Sequence, residues 1–180
     1  MCYADLLGDT GEVLTAESLR KLGMNVIRNL YLPISNHLTE IDMVGIHACG
    51  IFVVENKNYS GIVAGRTKDK KWLSSSQGYI FSPLMQNSRH INVLRNTFPE
   101  YADNMHNVVI FNDRLDKLIT DDSRVFVLSD FVEKFESLWS TRVFDADKIS
   151  EIRNKLISYS DMSLEAKYIH KELLSNVGGS

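Results

Sequence analysis

Residues 51–58 read IFVVENKN. Ile51, Phe52, Val53 and Val54 describe a strand built for a core, three of the four being β-branched. Glu55, Asn56 and Lys57 then follow. Side chains alternate along a strand, so Glu55 and Lys57 share a face with Ile51 and Val53, and Asn56 points to the other. Upstream, TEIDMVGIH (39–47) reads as a second strand. The link HACG is short and ends in glycine, which predicts an antiparallel hairpin. An even turn centred on Ala48–Cys49 sets Asp42 directly opposite Glu55, on one face, with Cβ atoms roughly 5 Å apart. An odd loop with a bulge would change that pairing.

Two carboxylates so placed repel, by about 4 kcal/mol for charges ~4 Å apart at an effective dielectric near 20. Either a cation offsets them or one acid keeps its proton. Hard oxygen ligands at a sheet end suit Mg²⁺ or Mn²⁺, which retain waters and take few carboxylates. Lys57 would set an ammonium beside such an ion, where it could stabilise phosphorane-like charge or orient a water for in-line attack. The bland alternative is a solvated strand end with a weak ion pair.

The rest of the chain frames this constellation. DTGEVLTAESLRKL (9–22) reads as a helix with Asp9 as cap and Glu12 three residues on, the capping-box spacing. Glu12 also begins the inward stripe of Ala16 and Leu19, so it is either a cap partner or a third acid aimed at the site. MNVIRNLYL (24–32) reads as a strand ended by Pro33, and ISNH (34–37) as a turn. Residues 61–82 are a polar excursion with short hairpin strands. At SPLMQN a helix starts, with Ser82 as N-cap and Pro83 in its first turn; Leu84, Ile91, Leu94 and Phe98 form its buried stripe. Gln86 lies in the first turns, one turn before His90; on its own Gln86 reads as an ordinary polar start, and His90 as an interface residue or a phosphate contact. NVVIFN (107–112) and RVFVLS (124–129) read as buried strands. Asp130 caps a helix to about Trp139, and two more helices cover about 147–159 and 162–175.

Composition sets limits. The chain has 180 residues, 44% hydrophobic and 24% charged, with a net charge of −3, so it carries a core and is not a general polycation. Nucleic-acid binding would need a local basic patch, and RTKDKKW (66–72) supplies one in Arg66, Lys68, Lys70 and Lys71 against Asp69. Such a run is otherwise a solvated loop, without the aromatic interleaving of a base-reading surface. Trp72 reads as a core anchor ahead of a stacking platform. Two cysteines exclude a stapled secreted scaffold. The N-terminus lacks signal-peptide character and no apolar run reaches membrane-spanning length, so the expectation is a cytoplasmic protein with no membrane partner.

Gly11–Glu12, TEIDMVGIHACGIFVVENKNYSG, the lone Trp72 and SPLMQN come in an order that resembles the nuclease-related domain, NERD, of the PD-(D/E)xK nuclease superfamily. The likeness covers roughly residues 9–112. It implies an α/β fold: a restriction-endonuclease-like αβββαβ core with a mixed central sheet flanked by helices, here over 1–113. Residues 114–180 would complete the sheet and add C-terminal helices. It further implies that Asp42 and Glu55 bind Mg²⁺ or Mn²⁺ with Glu12 as an outer or direct ligand, that Lys57 is the catalytic lysine, and that Gln86 helps orient the water. Asn56 stands where an apolar residue is more usual, and Ser82 where Asn usually precedes the proline. The expected activity is metal-dependent hydrolysis of phosphodiester bonds in DNA with little sequence preference, RNA being the other substrate considered. The alternative is a non-catalytic nucleic-acid- or protein-binding domain of the same fold. A homo-oligomer or a fused or partner domain is compatible with either.

Overall fold

The computed structural model describes residues 3–34 and 37–177, with side chains over 10–34 and 38–162 and at Leu164, Glu165 and Tyr168. In chain order the elements are α1 (Tyr3–Lys21), β1 (Asn25–Ile34), β2 (His37–His47), β3 (Gly50–Lys57), β4 (Gly61–Ala64), β5 (Lys71–Ser74), β6 (Gly78–Phe81), α2 (Pro83–Thr97), β7 (Met105–Phe111), β8 (Leu115–Ile119), β9 (Val125–Val127), α3 (Leu128–Leu138) and α4 (Ala146–Val177). A 3₁₀ turn, Pro99–Asn104, joins α2 to β7.

IFVV lies in the middle strand of a five-stranded sheet ordered β1-β2-β3-β7-β9. β1 pairs with β2 and β2 with β3 antiparallel, whereas β7 pairs with β3 and β9 with β7 in parallel. A parallel neighbour needs a crossover, and α2 supplies it between β3 and β7. The core is therefore αβββαβ, a mixed sheet of restriction-endonuclease-like plan. Ile41, Val53, Ile91, Leu94, Ile152 and Leu156 pack on the α2/α4 face, and Ala16, Leu19, Phe52, Val54, Phe131 and Phe135 on the α1/α3 face. The strand is apolar on both faces because helices cover both. Leu84, Ile91, Leu94 and Phe98, the stripe read from the sequence, are all buried.

A second sheet, β6-β5-β4-β8, leans on the first through Val63 and Trp72, which with Leu84 of α2 meet Val109, Phe111 and Val125. Trp72 is a core anchor: it is fully buried and stacks on Phe111 with ring centroids 6.4 Å apart. β8 was not foreseen. Its LDKLI sequence is too charged to read as a strand alone, and it forms by pairing in parallel with β4.

Other readings change. α1 begins at Tyr3, so Asp9 lies inside the helix and is not at its N-cap position; Ala4, Leu6 and Leu7 belong to the same helix. β1 runs through Pro33, which pairs with Leu38, because β1 is an edge strand and a missing donor costs little there. Ser35 and Asn36 of the ISNH turn lie outside the described residues. α3 starts at Leu128, two residues ahead of Asp130; the Ser129 N–H donates to Asp113 Oδ1 at 3.0 Å, which satisfies the helix start from another loop. The two C-terminal helical patterns are one helix. Ser160, at the presumed break, accepts the Tyr31 N–H at 2.9 Å and docks α4 onto the β1 edge. Among the described residues no helix is long and apolar enough to cross a membrane.

Candidate active site at the ends of strands β3 and β7

Observed pairs Met43–Val54 and His47–Gly50 give the β2–β3 register that the even turn requires. One step beyond Met43–Val54 stand Asp42 and Glu55. The Asp42 carboxylate accepts the Asn56 backbone N–H at 2.9 Å, which ties it to the end of β3. Glu55 is fully buried. Its Oε1 lies 2.5 Å from Lys57 Nζ, and its Oε2 has no hydrogen-bond partner among the described residues; His90 Nδ1 is 3.6 Å away.

The electrostatics follow from this placement. Burial, then the charge of Asp42, raises the Glu55 carboxyl to about 7, against the opposing pull of Lys57. Burial also raises Asp42, although the Asn56 N–H and Lys57 work the other way. For Lys57, burial disfavours the ammonium, but the charge of Glu55 and the hydrogen bond to it prevail and the net shift is upward. Burial, with the charges of Lys57 and Arg89, lowers His90, so its imidazole is neutral at pH 7.

Helix α2 brings Gln86 to the site. Ser82 Oγ accepts the Met85 N–H at 3.4 Å and Pro83 opens the helix, as its sequence predicts. Asn87, fully buried, then fixes the helix across the sheet: its Nδ2 donates to Val53 O (2.8 Å), Asn107 Oδ1 (2.8 Å) and Val108 O (3.0 Å). Lys57 Nζ consequently reaches Gln86 Oε1 at 3.3 Å.

Helix α1 closes the other side. Glu12 pairs with Arg28 of β1 at 3.0 Å, and its charge pushes both Asp42 and Glu55 upward. It is thus near the two acids yet held by Arg28. Among the described residues no three histidines, cysteines or carboxylates are gathered as a ready-made cation site. Gly11 is required by close approach: a Cβ there would lie 2.9 Å from both Asn112 Nδ2 and Asn58 Cβ.

The family model of NERD, the nuclease-related domain, matches residues 7–112. The chain belongs to the NERD family. It is also 32% identical over 94 residues to an uncharacterised protein of Bacillus anthracis, covering 48% of this chain and 44% of that one. The chain thus spans under half the length of this curated relative. The crystal structure of the protein of unknown function AF1548 superposes with a TM-score of 0.43 at 13% identity, over 73% of this chain and 54% of that one.

In this NERD domain Asp42, Glu55, Lys57 and Gln86 converge, whereas Arg66, Lys68 and Lys70, between β4 and β5, and Lys71, which opens β5, sit apart and exposed. Asp69 accepts the Arg66 N–H at 2.9 Å, shaping that loop. Sequence reasoning missed the supports. Asn56 Oδ1 accepts from Thr15 Oγ1 at 2.7 Å, joining the far face of β3 to α1. The Asn112 N–H donates to Lys57 O at 3.0 Å and its Nδ2 to Gly11 O at 3.1 Å, so one residue binds the lysine's strand end to α1. An asparagine at each strand end was the available signal.

Proposed function

We propose that this NERD domain hydrolyses phosphodiester bonds in DNA with the help of Mg²⁺ or Mn²⁺. The observation that carries the reading is Glu55: fully buried, near a second acid, with Oε2 unpartnered and its carboxyl raised to about 7. An acid so placed costs stability unless it meets a cation, and perturbed groups of this kind mark functional sites. The donor set fits Mg²⁺ or Mn²⁺, which need only one or two carboxylates and keep their waters. Asp42 and Glu55 would hold the ion, and Glu12, held by Arg28, would add charge from outside. Once bound, the ion supplies positive charge for the phosphate oxygens and a more acidic water.

The remaining work belongs to the chain. Lys57, set against Glu55, would face the phosphate and the attacking water, stabilising charge that grows in the transition state. Gln86 accepts from the ammonium and so sets its direction. Neutral His90, 3.6 Å from Glu55, adds no charge that would offset the acid in place of an ion. The exposed cations after β4 would grip phosphates without reading bases. A cytoplasmic setting belongs to this same reading.

A second reading is favoured by the Lys57–Glu55 contact, which already offsets one acid without any ion. In it the domain binds nucleic acid or a protein and cuts nothing. Plasmid cleavage by wild type and Asp42→Ala, each with Mn²⁺ and with EDTA, separates the two. The nuclease reading expects cutting by wild type with Mn²⁺ only. Equal results in all four reactions overturn it.

A further inference from the structure

Among the described residues no helix packs across the outer face of the second sheet. Val63, Trp72 and Ile80 turn inward to the core, so their neighbours turn outward. Tyr79 pairs with Leu73, Leu73 with Ala64, and Ala64 with Ile119, which makes one continuous row across all four strands. Three members of the row are large apolar residues left in solvent: Tyr79 at 78%, Leu73 at 52% and Ile119 at 48% exposure. A second row begins with Phe81 paired to Lys71. Isolated exposed apolar residues need no explanation, but a row of them across a sheet does.

The charge on this face is mostly positive. Lys71 and Lys117 occupy outward positions, the latter paired with Ile62. Asp116, exposed at the bulge where the β4–β8 register shifts, sets one carboxylate beside Lys117. Of the nearby loop acids, Asp69 is engaged by the Arg66 N–H and Asp121 by Thr67. The loop cations Arg66, Lys68 and Lys70 border the same sheet.

The face also connects to the site. The Arg89 guanidinium lies 5.1 Å over the Phe81 ring. Arg89 belongs to α2, three residues from Gln86 and next to His90, so one end of the platform is fastened to the helix that forms one wall of the site.

We propose that this face is a platform for single-stranded DNA, with bases stacked on Tyr79 and the apolar row and phosphates held by Lys71, Lys117 and the β4–β5 loop. The proposal rests on the nuclease reading for its choice of polymer. Open sheets bearing aromatics with basic neighbours bind single strands because every base offers a π-face, and a duplex hides those faces. Apart from the Tyr79 hydroxyl, the row has no group to engage a 2′-hydroxyl, which favours DNA over RNA. A second copy of the chain is disfavoured, since a two-fold contact would set Lys71 and Lys117 against their own like charge. The aromatic interleaving absent from the sequence arises in space, as strand pairing puts Phe81 beside Lys71.

The test is fluorescence anisotropy in EDTA, where no cutting occurs, with a labelled oligothymidylate of about 20 nucleotides, long enough for the 4–16 nucleotides such sheets hold. Wild type should bind it more tightly than a duplex of equal length or oligouridylate. Tyr79→Ala should weaken binding about tenfold, Tyr79→Phe should restore it, and neither should move the urea midpoint, since the side chain is exposed. Lys71→Ala should lower the slope of log affinity against log salt by about 0.7. Binding indifferent to Tyr79→Ala overturns the platform, as does equal or tighter binding of duplex or RNA, or a dimer by sedimentation that Tyr79→Ala dissolves. Tyr79-dependent binding without any Mn²⁺-dependent cutting overturns the nuclease reading alone and leaves the platform standing.

Discussion

Replacing Glu55 by Gln is expected to stabilise the metal-free protein at pH 8 relative to its effect at acid pH. Glu55 is fully buried, and burial together with Asp42 raises its carboxyl from 4.5 to about 7 despite Lys57. Its folded value lies above its unfolded one, so the folded state binds the proton more tightly. That contribution is complete below about 4.5 and is lost as pH climbs through about 7. At about 1.4 kcal/mol per pH unit, the loss reaches about 3 kcal/mol by pH 8. Gln matches the protonated acid in shape and has no proton to lose. The stability curves of wild type and Glu55→Gln should therefore keep a constant offset below pH 4.5 and draw apart by about 3 kcal/mol at pH 8. Asp42, also raised, acts in both proteins. Urea unfolding in EDTA, followed by circular dichroism at half-unit steps of pH, measures the difference. Added Mn²⁺ should then stabilise wild type at pH 8 and leave Glu55→Gln nearly unmoved. A difference that stays constant from pH 4.5 to 8.5 refutes the reasoning, because Glu55 would then ionise as freely in the folded protein as in the unfolded one.

Lys57→Ala should reduce cleavage at least a hundredfold in a plasmid assay; it should remain folded at pH 6, where Glu55 keeps its proton, and lose stability at pH 8, where the acid no longer has its ammonium. Gly11→Ala should cost about 1–3 kcal/mol of unfolding free energy, because its Cβ would press on Asn58 and Asn112. Trp72→Ala should cost about 3–5 kcal/mol and detach the second sheet, seen as faster amide exchange in β4 and β5, while a merely surface-bound tryptophan would cost little. Asn56→Leu should cost about 1–3 kcal/mol by stranding the Thr15 hydroxyl, and adding Thr15→Val should recover most of it in a double-mutant cycle.

The hairpin at the centre was legible because one short turn fixes it. Period-two alternation and a glycine-ended link were enough to set Asp42 against Glu55, and the observed pairs agree. The buried stripe of α2 and its Ser82–Pro83 start were legible for the same reason, being local. What escaped depends on distant partners. β8 exists because β4 lends it a ladder, and α4 passes through Ser160 because β1 offers that hydroxyl an N–H. Pro33 looked like a stop because edge position is a property of the sheet and is not carried by the strand's own sequence. Of the two roles open to Glu12, the cap partner depended on a helix starting at Asp9; with α1 extended to Tyr3, the acid is mid-helix and meets Arg28.

Asn56 is the clearest case of a local oddity with a distant cause. It separates the acid and the lysine, and on its own strand it serves neither. Its backbone N–H binds Asp42 and its side chain binds Thr15, so a single residue holds the first acid from one side and α1 from the other. Asn87 does the same for α2 and Asn112 for the end of β7. Three amides, each carrying both donor and acceptor, bind three elements around two acids whose mutual repulsion would otherwise spread them. The strand therefore ends in ENK because its apolar half supplies rigidity and its polar half spends that rigidity on keeping Glu55 where, alone, it would not stay charged.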